Sequence, residues 1–106
     1  MAFRRIITRT GNSPVPTFPT VIKNEFDRLV SIGTVTRTEV FVTDPAELIE
    51  QNVGSNKFKS TITEVWTNEA AKNSYVAWVQ SNHKSTFDSF MAANGIVDVV
   101  TSSGEI

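Results

Sequence analysis

Four side chains between residues 62 and 83, in "ITEVWTNEAAKNSYVAWVQSNH", have the types and spacing to do chemistry together. Glu64 and Trp66 stand two apart on a candidate strand, so they share one face with Phe58, Ser60 and Ile62. A carboxylate on such an apolar face costs several kcal/mol unless it is paired or protonated. Arg5 or Arg9 on one flanking strand, or Arg37 on the other, could pair with it. A structural ion pair is the simpler reading; the functional one is an ionisable group beside a cavity. Trp66 is either core or a flat wall for a ring-shaped ligand. Tyr75, the only tyrosine, lies on the inward face of a candidate helix, where its hydroxyl needs a partner from the sheet or from a ligand. His83, the only histidine, shares a helical face with Phe87, Phe90 and Met91. It is either a boundary residue or a proton shuttle, since histidine is the residue type that changes charge near neutral pH. The candidate site is therefore His83 as the catalytic acid or base, with Glu64, Trp66, Tyr75 and Arg37 binding the ligand.

Other chemistries lack their residues. The chain has no cysteine, which removes disulfides, thiolate zinc sites and cysteine nucleophiles. One histidine without cysteine does not suggest a transition-metal site, and no metal or cofactor is expected. No glycine-rich phosphate loop or nucleophile elbow is present, no Ser, His and Asp spacing singles out a triad, and no two acids are paired as in glycosidases. The net charge is −1 and the isoelectric point about 5.7, so no basic field awaits a nucleic acid. The one basic cluster, Arg4, Arg5 and Arg9, falls on a candidate strand whose residues alternate between faces. No stretch approaches the roughly 20 apolar residues that cross a bilayer, and "MAFRRIITRT" lacks a signal-peptide core. The expectation is a soluble cytoplasmic protein with no membrane partner.

The elements that must position these residues follow from periodicity. The 106 residues, 40% apolar and 20% charged, read as one domain, 1–106. Residues 2–9 read as a strand, and "TGNSPVP" as a turn. Phe18, Ile22, Phe26 and Leu29 line one face of a helix over 18–32, capped by Thr17 and closed by Gly33. "TVTRTEVFVT", residues 34–43, is the strongest strand signal, because β-branched residues favour extended backbone. "DPAELIEQNVGSN" is a long connection with one or two helical turns. Residues 57–66 form a third strand. Residues 68–80 form a second helix, which either continues through "SNH" or breaks there and restarts until Gly95. Residues 96–101 form a last strand. The order βαββαβ implies a ferredoxin-like α+β sandwich: a four-stranded antiparallel sheet with both helices on one face. RNA-recognition domains share this order, but their K/R-G-F/Y-type strand signature is missing from "KFKSTITEVW".

"TEVWTNEAAKNSYVAWVQSNHKSTFDSF" resembles the third strand and second helix of the antibiotic-biosynthesis-monooxygenase-like dimeric α/β-barrel proteins. Glu64, Trp66, Ala70 or Ala71, Ser81, His83 and Phe87 match that pattern in order, over about residues 57–100. The pattern's mid-helix histidine is absent, with Tyr75 and Val76 nearby, and its proline is Asn82. The resemblance implies a ligand site between sheet and helices and a homodimer closed through the outer sheet face. Phe41 would serve such a dimer if it points toward the partner. The expected function is small-molecule binding, with cofactor-free oxygenation of an aromatic or quinol-like compound as one form. The alternative is a non-catalytic binding or regulatory module on the same fold.

Overall fold

The computed structural model describes residues 1–106 and consists of β1 (Phe3–Asn12), α1 (Thr20–Ser31), β2 (Val35–Val42), α2 (Pro45–Glu50), β3 (Lys57–Trp66), α3 (Glu69–Asn82), α4 (Lys84–Ala93) and β4 (Val97–Glu105). The strands form one sheet in the order β2-β3-β1-β4, and every neighbouring pair is antiparallel. This is the ferredoxin-like α+β sandwich expected from the element order. Phe26 and Leu29 of α1 and Ala71 and Tyr75 of α3 pack against buried Phe3, Val35 and Trp66, so both helices cover the same sheet face. No helix is long and apolar enough to cross a membrane.

Local chemistry sets most boundaries. α1 ends in a Schellman arrangement: Gly33 sits at φ 81°, and the Thr34 N–H donates to the Leu29 carbonyl at 2.9 Å. Its start differs from the expected Thr17 cap. Pro19 occupies the capping position with extended backbone and no side-chain bond, and the helix begins at Thr20. Asn68 caps α3 by accepting from the Ala71 N–H at 2.8 Å. Asp44 caps α2 in the same manner, through the Ala46 N–H at 3.0 Å.

Two strands run longer than their sequence pattern suggests. β1 continues through Gly11, read above as a turn residue. A Cβ at Gly11 would lie 2.6 Å from the Phe58 ring, which covers the strand there, so the glycine serves close packing rather than chain reversal. β4 continues to Glu105, carried past Val100 by pairing with β1 across a register shift between Ile6 and Ile7. The second helix breaks: His83, at φ −137°, closes α3 and opens α4. The register also corrects the orientation of Phe41. It pairs with Ser60, which lies in the row of Arg9, so Phe41 faces the helices and packs 6.4 Å from Phe58 rather than pointing to the outer face.

Candidate functional site

The helix-facing side of the sheet carries charge in register. One row runs Arg37, Glu64, Arg5; the next runs Glu39, Ile62, Ile7, Val100; the third runs Phe41, Ser60, Arg9, Asp98. Period-two alternation directs each of these toward the helices. Three arginines and three acids thus lie beneath the helical layer, and each finds a partner.

Glu64 is 5% exposed. Its Oε1 accepts from Arg5 Nε at 2.9 Å, stands 2.8 Å from Arg5 Nη2, and accepts from Trp66 Nε1 at 3.1 Å. Of the arginines expected to meet this carboxylate, Arg5 does so. Arg9 forms a two-pronged pair with Asp98, at 2.7 and 2.8 Å, and its guanidinium lies 4.7 Å over the Phe18 ring. Arg37 Nη2 donates to Glu39 Oε1 at 3.0 Å, and Glu39 Oε2 accepts from Ser60 Oγ at 2.6 Å.

Between this floor and the helices lies a cavity of about 660 Å³. Phe18, Ile22, Phe26, Tyr75, Val79 and Phe87 supply its apolar walls, and Arg5, Arg9, Arg37, Glu39, Glu64 and Asp98 reach it from the sheet. Lys23 and Asp27 of α1, paired at 2.6 Å, stand at its edge. Four cation–acid pairs therefore line the space and leave no uncompensated charge in it.

Two open polar atoms belong to the Glu64–Trp66–Tyr75 cluster. Oε1 of Glu64 takes all the protein donors, and Oε2 takes none. The Tyr75 hydroxyl likewise makes no hydrogen bond within the protein. No fully buried side-chain oxygen or nitrogen lacks a partner, so both atoms keep some exposure, and both residues line the cavity. Burial, and then the neighbouring Glu64 carboxylate, push the Tyr75 phenol up to about 12. The hydroxyl keeps its proton and acts as a donor.

The expected site residues separate into two groups. Glu64, Tyr75 and Arg37 line the cavity. Trp66 is fully buried beneath it, with Phe26 edge-on at 6.0 Å and Tyr75 tilted at 5.6 Å between ring centroids. Trp66 touches the site by holding Glu64 Oε1. His83 does not line the cavity. It sits at the α3–α4 junction, edge-on to Trp78 at 4.6 Å, and Trp78 in turn lies 6.2 Å from Tyr75. The four residues singled out from the sequence are thus linked, but in a line from Glu64 through Trp66, Tyr75 and Trp78 to His83 at the helix junction. No three His, Asp or Glu side chains come together in a way that would hold a metal ion.

Phe18, Arg9, Glu39 and Asp98 were missed as site residues. Parity was the available signal: Arg5 and Arg9 alternate in step with Phe3 and Ile7, and Arg37 and Glu39 with Val35, so charge falls on the face that must be covered. Spacing places Phe18 on the face of a helix over 18–32; it instead sits in the segment before α1, tilted against Phe90 at 4.6 Å between ring centroids.

Searches of protein-family models, of curated proteins and of solved structures found no match to this chain.

Proposed function

We propose that this protein binds a small, largely apolar molecule in the cavity between its sheet and helices. The observation that carries the reading is the cavity itself: about 660 Å³, walled by aromatic and aliphatic side chains, over a floor of closed ion pairs. Ligand sites generally combine apolar walls with a few fixed polar groups in a space of roughly 300–1,000 Å³. Mutual pairing holds the floor side chains in place, so little ordering remains to be done on binding. A thermal-shift screen of mono-, bi- and tricyclic aromatic compounds tests this. A ligand at about 100 times its Kd adds about 2.7 kcal/mol, which for a domain of this length raises Tm by on the order of ten degrees. A panel that moves Tm by nothing would remove the proposal.

Binding without turnover is the form we favour. The oxygenase form, suggested by the Glu64-x-Trp66 resemblance, needs a group that moves a proton at the ligand. His83, the residue the resemblance offers for that task, stands off the cavity, the Tyr75 phenol holds its proton, and Glu64 is already tied to Arg5 and Trp66. Aerobic incubation with an anthrol or quinol should therefore consume no more O₂ than a protein-free control. Uptake that falls by about 10²-fold in His83→Ala would replace this reading with the enzymatic one.

We further propose that a second copy of the chain covers the outer face of the sheet. Thr8, Thr61, Val40 and Val99 form one row across that face, and Thr38, Thr63, Ile6 and Ser102 the next, with no charge among them. Val40 and Val99 are more than half exposed.

A further inference from the structure

The cavity's polar chemistry is asymmetric, and the asymmetry has a chemical meaning. Its charges are matched, four cations to four acids, each within ion-pair distance of its partner. A ligand bearing a net charge would enter a partly desolvated space with nothing left to neutralise it. The Glu64–Trp66–Tyr75 cluster leaves one strong acceptor and one donor unused. Glu64 is 5% exposed and lines the cavity, its Oε1 is saturated by Arg5 and Trp66, and its Oε2 has no protein partner. The Arg5 guanidinium stands against the same group, and a carboxylate oxygen only accepts. The Tyr75 hydroxyl, also without a protein partner, supplies the donor. Tyr75 rests on Trp66, and Trp66 donates to Glu64, so the two open atoms are set by one contiguous cluster.

We infer that Glu64 Oε2 and the Tyr75 hydroxyl form the specificity element of the cavity, selecting a neutral planar molecule that carries an O–H or N–H donor and rejecting carboxylic acids. The ligand's O–H or N–H donates to Glu64 Oε2, and its oxygen or an adjacent acceptor receives the Tyr75 hydroxyl. Discrimination arises because a ligand without the donor desolvates a buried carboxylate oxygen and leaves it unpaired. That asymmetry makes hydrogen-bond sites selective where apolar walls are not. A carboxylate ligand brings its own negative charge against Glu64 and is rejected more strongly still. This inference rests on the cavity being a ligand site, and its test separates the two.

The probes are 2-naphthol, 2-methoxynaphthalene and 2-naphthoate, titrated calorimetrically into the full chain at neutral pH. They share a ring system and differ in donor and charge. The expected result is that 2-naphthol binds at least about tenfold more tightly than its methyl ether, with 2-naphthoate weakest, since hydrogen bonds to charged groups are the stronger class. In Glu64→Gln, whose amide can turn its NH₂ toward the cavity, the naphthol-to-ether ratio should fall to about threefold or less. Tyr75→Phe should weaken naphthol and ether together and leave their ratio intact, because both ligand oxygens accept from the hydroxyl. If Glu64→Gln does not fold, the wild-type ratio and the Tyr75→Phe ratio still decide. Equal binding of all three probes, or naphthoate binding tightest, overturns the specificity element while leaving a ligand cavity. Binding of none of the three, nor of any larger ring system, overturns the cavity reading and the inference with it.

Discussion

At the scale of single residues, the arrangement turns on how a buried carboxylate is partnered. Glu64 has Arg5 and the Trp66 indole on one oxygen. Removing the guanidinium alone strands a charge in a 5%-exposed position. Arg5→Met should therefore cost about 2–4 kcal/mol in urea denaturation, between the surface and fully buried cases, because the Arg5 side chain is itself 19% exposed. The double change Arg5→Met/Glu64→Met should recover part of that loss. The residue left over is the Trp66 N–H without its acceptor, about 1–3 kcal/mol. A double variant no more stable than the single one would mean that the pair is not what the site is built around. The pairing question was only half legible beforehand. Period-two alternation placed Glu64 toward the helices, but Arg5, Arg9 and Arg37 all share that parity. The strand register sets both Arg5 and Arg37 opposite Glu64 and removes Arg9, and Arg37 turns instead to Glu39, which leaves Arg5.

Tyr75 gives a pH-dependent reading at the same scale. Its phenol is raised to about 12, first by burial and then by the Glu64 carboxylate, against an ordinary value of about 10 in the unfolded chain. The folded state holds its proton more tightly, so the contribution to stability is complete below about pH 10. It is lost as pH rises from about 10 toward 12, where the unfolded chain ionises and the folded one does not. Because this is the only tyrosine, near-ultraviolet phenolate absorbance reports on it alone. The native protein should titrate close to the alkaline unfolding limit, whereas chain in denaturant titrates about two units lower. Tyr75→Phe should flatten the alkaline decline in stability. A native titration near 10 would show the hydroxyl to be freely solvated.

At the scale of elements, the second helix decides where Tyr75 and His83 stand. The spacing of His83, Phe87, Phe90 and Met91 continues the apolar stripe of α3 into α4, so periodicity alone runs through the junction. The backbone breaks at His83, and α4 starts without a side-chain cap. That break diverts His83 onto Trp78 and away from the cavity. The start of α3 is firmer, because Asn68 accepts from the Ala71 N–H. Asn68→Ala should cost about 1 kcal/mol in thermal or urea denaturation, with Asn68→Asp close to wild type, since both Asn and Asp serve as caps. Equal loss in both variants would assign the effect to the side-chain amide rather than to capping. The strand ends were less legible for a related reason. Gly11 and "TSSGE" carry turn-type residues, yet pairing with β3 and β1 holds them extended. Tertiary pairing overrides local preference there.

At the scale of the whole molecule, the chain buries little of itself. Only 13 of 106 residues are buried, and the radius of gyration is 14.5 Å, against about 13 Å for a compact domain of this length. The helices cover one sheet face above a cavity, and the outer face is a plain of threonine and valine flanked by Arg4, Lys57 and Lys59. Exposed β-branched surface without a central charge is what natural sheets avoid unless something covers it. A two-fold partner satisfies this with one patch, because the same uncharged rows meet their own copies. Light scattering should give twice the 11.7 kDa chain mass at tens of micromolar. Thr61→Lys places a charge at the middle of that face, opposite Thr8 and Val40, and in a dimer would bring two like charges together. It should yield a folded species of single-chain mass, since Thr61 is exposed in the isolated chain and its replacement disturbs no core contact. A wild-type mass of one chain would leave the outer face solvated and reject the dimer, whereas the cavity lies wholly within one chain and the binding proposal would survive that result.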